Sequence, residues 1–76
     1  MENRCTLDQL APGQSASVEE LTGPADQQRR LMELGFIPGS TVTALLESPW
    51  GDLIAYAVCG AVIALRRSGS RQIHIH

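Results

Sequence analysis

The sequence predicts a mainly β fold, a small SH3-like partly open barrel of five to six short strands with one short helix. Its 76 residues are enough for one domain, which we assign to residues 1–76 with a loose N-terminus over about residues 1–5. Beyond residue 40 the apolar residues alternate with a period of two in short runs that Gly, Pro and Ser interrupt. Helical spacing is convincing in one segment only, residues 27–34. Many short strands of this kind are typical of a small barrel.

The N-terminal half predicts one strand and the helix. Pro24 suits the first helical turn, where its missing N–H is not needed, and Gly35 is placed to end the helix in the left-handed conformation. Leu31 and Leu34 lie three apart and share the apolar face of this helix.

Residues 68–70, Ser-Gly-Ser, predict a turn near the C-terminus. The strands are predicted at residues 15–21, 41–47, 53–59, 61–66 and 72–76.

A hairpin dominates the C-terminal half. Its turn, residues 48–51, has Pro49 at the first central position and Gly51 where a left-handed residue is favoured. Strand alternation separates two faces. The inward residues are Ile54, Tyr56, Val58, Ile63 and Leu65, and the outward ones are Ala55, Ala57, Cys59 and Ala61, with Val62 close by. Apolar residues on both faces indicate that the outer face is covered, either by a partner or a second copy of the chain, or by the chain's own helix or a terminus.

Charge and motifs exclude several functions. The formal net charge is −2, whereas a general nucleic-acid binder carries a marked positive excess, so we expect no nucleic-acid partner. All six basic residues are Arg, which excludes Schiff-base chemistry and the Lys of a phosphate-binding loop. Because no catalytic motif is present either, we expect a protein that is not an enzyme. The N-terminus shows no signal peptide, so we expect a cytoplasmic protein.

Three motifs resemble the FeoA family, the small ferrous iron transport A proteins. Residues 30–39 read RLMELGFIPG, residues 49–52 read PWGD in the hairpin turn, and residues 63–66 read IALR. The resemblance runs from about residue 21 to residue 75. It implies an SH3-like barrel that acts in bacterial ferrous iron uptake as a non-enzymatic accessory of FeoB, a membrane iron transporter with a cytoplasmic GTPase domain. It also implies a location at the inner face of the membrane through that partner.

The candidate partner-binding residues lie on the hairpin and just after it. Trp50 is at the hairpin tip, where it either anchors in a partner's pocket or folds back over Leu53. Arg66 and Arg67 begin a basic cluster with Arg71, which either meets an acidic surface or is a solvated face. The predicted partner-binding set is Trp50, Ala55, Ala57, Cys59, Arg66 and Arg67, with a homodimer as the alternative use of the same face.

A second candidate site is the pair His74 and His76. Two residues apart on a strand, they project from the same face, and with Cys59 or the terminal carboxylate they offer ligands suited to Fe²⁺ or Zn²⁺. The alternative is two solvated histidines at the end of a strand. A closed structural site takes four ligands and only two are local, so we expect no required cofactor. The functional alternative is a metal-responsive sensor or regulator.

Overall fold

A computed structural model describes residues 5–76, and its strands are antiparallel. Over these residues the sheet has six strands in the order β1-β6-β2-β3-β4-β5. Its two end strands, β1 and β5, are not paired with each other, which leaves the barrel partly open. The predicted mainly β, SH3-like fold is confirmed. The elements are β1 Cys5–Thr6, a 3₁₀ helix Leu7–Gln9, β2 Ser15–Leu21, α1 Ala25–Glu33, β3 Thr41–Glu47, β4 Leu53–Val58, β5 Ala61–Arg66, α2 Arg67–Ser70 and β6 Ile73–Ile75.

Helix α1 begins two residues earlier than predicted, directly after Pro24, whose extended backbone forms the N-cap. Gly35, at φ +113°, ends it as expected. Of the predicted apolar pair, Leu31 is buried but Leu34 is partly exposed, because the helix ends before Leu34. Phe36 enters the core instead, and its ring meets that of Tyr56 edge-on at 6.2 Å.

The β4–β5 hairpin turns on Cys59 and Gly60, which have φ of +51° and +77°. Two successive positive φ values are those of the type I′ turn that favours a two-residue hairpin loop. The predicted strand over residues 53–59 is therefore one residue too long, since Cys59 belongs to the turn. Strand β5 has the predicted bounds.

The predicted inward residues form much of the core. Ile54, Tyr56, Val58 and Leu65 are buried, and Ile63 is half-buried and packs against them. Their neighbours in the core come from the other strands, α1 and the 3₁₀ helix. These are Leu7, Val18, Leu31, Phe36, Val42, Ala44 and Ile73.

The turn predicted at residues 68–70 is instead helical, and these residues belong to α2. Ser70 is fully buried, and its hydroxyl accepts a hydrogen bond from the Tyr56 hydroxyl at 3.0 Å. This buried hydrogen bond favours a tight helical turn at residues 67–70 over an open turn at the surface. The last strand consequently begins at Ile73, one residue later than predicted.

Candidate functional site

The sheet places a set of apolar side chains on the solvent side of β3, β4 and β5. Ala55 lies opposite Leu46 of β3, and Ala57 lies opposite Val62 of β5. Because side chains alternate along a strand, these residues face away from the core that Ile54 enters. We call this surface the outer hairpin face and define it as Leu46, Leu53, Ala55, Ala57 and Val62.

No element of residues 5–76 covers the outer hairpin face. Leu46 is 62% exposed and Val62 is 69% exposed, while the smaller Ala55 and Ala57 are half-buried between their neighbours. One interpretation of the sequence was covering by the chain's own helix or a terminus. Neither α1 nor the C-terminal strand covers the face, and residues 1–4 of the N-terminus lie outside the described residues. Exposed apolar patches of this kind commonly mark interaction sites.

Trp50 lies at the tip of the hairpin and is 89% exposed. It does not fold back over Leu53, since an indole packed on a leucine side chain would lose much of its exposed area. The loop that carries it is tied at its base, where the Ser48 hydroxyl donates to the Asp52 carboxylate at 2.6 Å and the Gly51 amide donates to the Ser48 carbonyl at 2.9 Å. The hydroxyl of Ser48 also lowers the pKa of Asp52, which keeps that carboxylate ionised.

The predicted basic cluster is divided by the fold. Arg67 turns inward: its Nε donates to the Gly51 carbonyl at 2.7 Å, and its Nη2 lies 3.0 Å from the Glu47 carboxylate. Its Nη1 also donates to the Asp8 carbonyl at 3.3 Å. Arg66 is exposed and forms no ion pair with any residue in 5–76. No local sequence pattern distinguishes the two arginines, because the partners of Arg67 are 16 to 59 residues away.

The two histidines lie on and just after β6. His74 is half-buried, and its Nδ1 is buried without a hydrogen-bond partner, whereas the exposed His76 lies with Nδ1 3.9 Å from a Glu19 carboxylate oxygen. Cys59 is elsewhere, in the β4–β5 turn, where its Sγ lies 3.5 Å from the Gly35 carbonyl. Within the described chain no group of three or more His, Cys, Asp and Glu side chains could hold a metal ion.

A partly open antiparallel barrel of six short strands defines a small SH3-like module. The model of the FeoA domain matches residues 5–76, and the chain belongs to the FeoA family, which is linked to ferrous iron transport. Helices within residues 5–76 are all too short or too polar to cross a bilayer.

Solved structures agree with this assignment. The FeoA protein of Chlorobium tepidum is 30% identical to this chain and superposes with a TM-score of 0.88. The alignment covers 95% of this chain and 69% of the Chlorobium tepidum chain. The FeoA of Stenotrophomonas maltophilia, solved with zinc and described as a prokaryotic SH3 domain protein, is 32% identical over 95% of this chain and 89% of its own, with a TM-score of 0.77. A manganese-dependent transcriptional repressor, at 16% identity and a TM-score of 0.89, shares the fold over 42% of its length.

A curated relative joins a domain of this kind to a transporter. The Fe(2+) transport protein A/Fe(2+) transporter FeoB fusion protein of Porphyromonas gingivalis is 28% identical over 69 residues. These residues are 91% of this chain and 8% of the relative. The chain thus spans a small part of the relative that it matches.

Proposed function

We propose that this chain is a non-enzymatic accessory of bacterial ferrous iron uptake that binds the cytoplasmic part of a FeoB-type transporter. The observation that carries the proposal is the fusion of a FeoA part with a FeoB transporter in a relative. Two parts held in one chain stay at high effective concentration, so even a weak contact between them persists. A separate chain needs a binding surface of its own, and we place this chain at the inner face of the membrane through that contact.

The outer hairpin face together with Trp50 is the surface best suited to such a contact. Its side chains are apolar and uncovered by residues 5–76, and desolvating Leu46 and Val62 in an interface contributes about 25 cal/mol per Å² of apolar area removed from water. Trp50 projects beyond this face, and tryptophan is enriched among the residues that dominate binding energy. Arg66 ends β5, Arg67 follows it and Cys59 lies in the β4–β5 turn; we assign all three to the rim of the contact.

Direct binding tests this assignment. We expect the purified chain to bind detergent-solubilised transporter, and the variants Ala57→Glu and Val62→Glu to weaken binding about tenfold or more, equal to about 1.4 kcal/mol, since each puts a carboxylate into an apolar contact. Ala25→Glu is the matched control, because Ala25 is exposed at the start of α1, where a carboxylate suits the helix dipole. Circular dichroism checks that all three variants fold.

Three results would contradict parts of this proposal. Absence of wild-type binding would refute the partner. Equal affinity of all the variants would refute the outer hairpin face as the site. A concentration-dependent dimer that the two face variants abolish, without transporter binding, would assign the face to a homodimer.

A transition-metal sensor is the second candidate function, and the unpartnered Nδ1 of His74 is the observation that favours it. Residues 5–76 do not by themselves complete a site, because no group of three or more His, Cys, Asp and Glu ligands forms among them. Calorimetry with Zn²⁺ and with Fe²⁺ tests this function. Micromolar binding that the double variant His74→Ala/His76→Ala abolishes would support it, and an unchanged isotherm would exclude these ligands.

A further inference from the structure

Strand β5 presents an open edge of the sheet. It pairs with β4 on one side and is the last strand in the order over residues 5–76. In a hairpin closed by a two-residue turn, alternate residues exchange hydrogen bonds with the partner strand, starting with Ala61 opposite Val58. The N–H and C=O groups of Val62, Ala64 and Arg66 therefore point away from β4. The Arg66 carbonyl agrees with this direction, since it accepts a hydrogen bond from the Ser70 hydroxyl of α2 at 3.4 Å.

A groove runs beside this open edge. Its cavity has a volume of about 380 Å³ and separates α1 from β5 and α2. Ala64 and Arg66 line the β5 side, and Gln27 and Arg30 line the α1 side. The remaining walls include Leu31 and Leu65, whose side chains are almost fully buried and give the groove an apolar base.

The groove is locally positive in a chain of net charge −2. Arg30 and Arg66 are both exposed, and neither forms an ion pair within 4.0 Å in the part of the chain that the structure describes. The Ser48 hydroxyl lowers the pKa of Asp52 and the nearby charge of Arg66 helps to lower it, so an acidic group lies near Arg66 beyond ion-pair distance. Each guanidinium has five N–H donors in a planar fork that matches a carboxylate. The two arginines stand on opposite sides of the groove, so one extended ligand lying along it reaches both.

We propose that this groove binds an extended acidic peptide segment of another protein, which adds to the sheet as a strand along β5. Unpaired backbone donors and acceptors at a sheet edge recognise a peptide backbone, which a nucleic-acid strand lacks. The carboxylates of the segment pair with Arg30 and Arg66, and its apolar side chains lie against Leu31 and Leu65. A second copy of β5 is a poor match, since residues 61–66 contain no Asp or Glu that could pair with the two arginines.

This groove adjoins the outer hairpin face, since its residues Ala64 and Arg66 lie opposite Ala55 and Leu53. Its proposal does not rest on the transporter as the partner. The segment that binds is defined by its chemistry: an extended backbone with alternating carboxylate and apolar side chains. The outer hairpin face, which has no arginine among its defining residues, recognises apolar area. Arg30 on α1 distinguishes the two surfaces, because Arg30→Glu alters the groove alone, whereas Ala57→Glu alters the outer hairpin face.

The test is an NMR titration of the ¹⁵N-labelled chain with two pools of capped heptapeptides. One pool alternates Asp or Glu with Val, Ile or Thr, and the other has Lys in place of the acidic residues. We expect the acidic pool alone to shift the amides of Val62, Ala64 and Arg66, and to slow hydrogen exchange at Val62 and Ala64 about tenfold or more.

Two matched variants define the groove. Arg30→Glu should weaken binding of the acidic pool at least about tenfold, whereas Arg29→Glu, its exposed neighbour on α1 outside the groove, should not. Ala64→Pro should weaken binding similarly, because it removes an outward N–H without removing a bond to β4. The arginine pair keeps the test valid if the proline variant does not fold.

Several outcomes would overturn the proposal. These are equal binding of the acidic and basic pools, equal effects of Arg29→Glu and Arg30→Glu, or no shift with either pool at millimolar concentration. Shifts at Leu46, Leu53, Ala55 and Ala57 without shifts at Ala64 and Arg66 would also overturn it. Self-association through β5, seen as concentration-dependent shifts of the same amides without peptide, would assign the edge to a second copy instead.

Discussion

Replacing Arg67 by alanine should destabilise the fold strongly, although the sequence places this residue in a basic surface cluster. Its guanidinium joins three separate segments: the hairpin loop at Gly51, the end of β3 at Glu47 and the 3₁₀ helix at Asp8. The side chain is 30% exposed, so these contacts are largely shielded from water. In the alanine variant the Gly51 and Asp8 carbonyls and the Glu47 carboxylate lose their hydrogen bonds to Arg67 and must be hydrated in a partly closed site.

The magnitude follows from the individual contacts. A hydrogen bond from a charged donor contributes about 1.5–3 kcal/mol, and the 2.7 Å bond from Nε to the Gly51 carbonyl belongs to this class. The pair with Glu47, whose side chain is 41% exposed, adds less than about 1 kcal/mol. We therefore expect a loss of about 2–3 kcal/mol, which lowers the Tm of a domain of this size by about 10–20 °C.

Urea and thermal unfolding followed by circular dichroism measure this loss, with Arg66→Ala as the matched control. Arg66 is adjacent, exposed and without an ion pair in residues 5–76, so its removal should change stability by less than about 0.5 kcal/mol. Arg67→Lys should recover little, because an ammonium group cannot span the three acceptors. Equal stabilities of the Arg66→Ala and Arg67→Ala variants would refute the structural role of Arg67.

Three further predictions concern the turns and the core. Burial raises the pKa of Tyr56, so the free energy of unfolding should fall as the pH rises above about 10, where Tyr56 ionises readily only in the unfolded chain. Urea unfolding should show this pH dependence in the wild type and not in Tyr56→Phe. The sequence contains no Lys that would titrate in the same pH range. Cys59→Asn should raise the free energy of unfolding by about 0.5–1 kcal/mol, since Asn-Gly favours the type I′ turn; a loss would contradict the turn assignment. Gly35→Ala should lower the free energy of unfolding by about 1–3 kcal/mol, because φ is +113° and the new Cβ would lie 3.2 Å from the Cys59 Sγ. Adding Cys59→Ala should restore only the part of this loss that is due to crowding by Sγ.

Much of the fold could be read from short stretches of sequence. The alternation in residues 53–65 separated inward from outward side chains, and the structure buries Ile54, Tyr56 and Val58 accordingly. Pro24 and Gly35 bounded the helix to within two residues. The two misplaced features have different causes. Cys59 adopts a positive φ that is uncommon outside Gly, Asn and Asp, whereas residues 67–70 are helical where the Ser70 hydroxyl meets Tyr56 of another element.

The candidate sites were likewise predicted from the sequence only in part. Alternation indicated Ala55 and Ala57 of the outer hairpin face, but it wrongly added Cys59, which is in the turn, and Ala61, which pairs with the buried Val58. The family motifs in residues 30–39, 49–52 and 63–66 predicted the FeoA assignment that the domain match confirms. Neither could show that Arg66 is exposed while Arg67 is held by Gly51 and Glu47. Nor could they show that Trp50 projects from the hairpin rather than packing on Leu53.

The sequence by itself determined the period of each segment, the positions of most turns and which face of each strand is apolar. These properties depend on neighbours a few residues apart, through φ preferences and side-chain alternation. Only the tertiary structure decided that β5 is left as an open edge beside α1, with Arg30 and Arg66 across one groove. Those features depend on how residues far apart in the chain pair and pack, and no short stretch of sequence encodes which edge of a sheet remains unpaired.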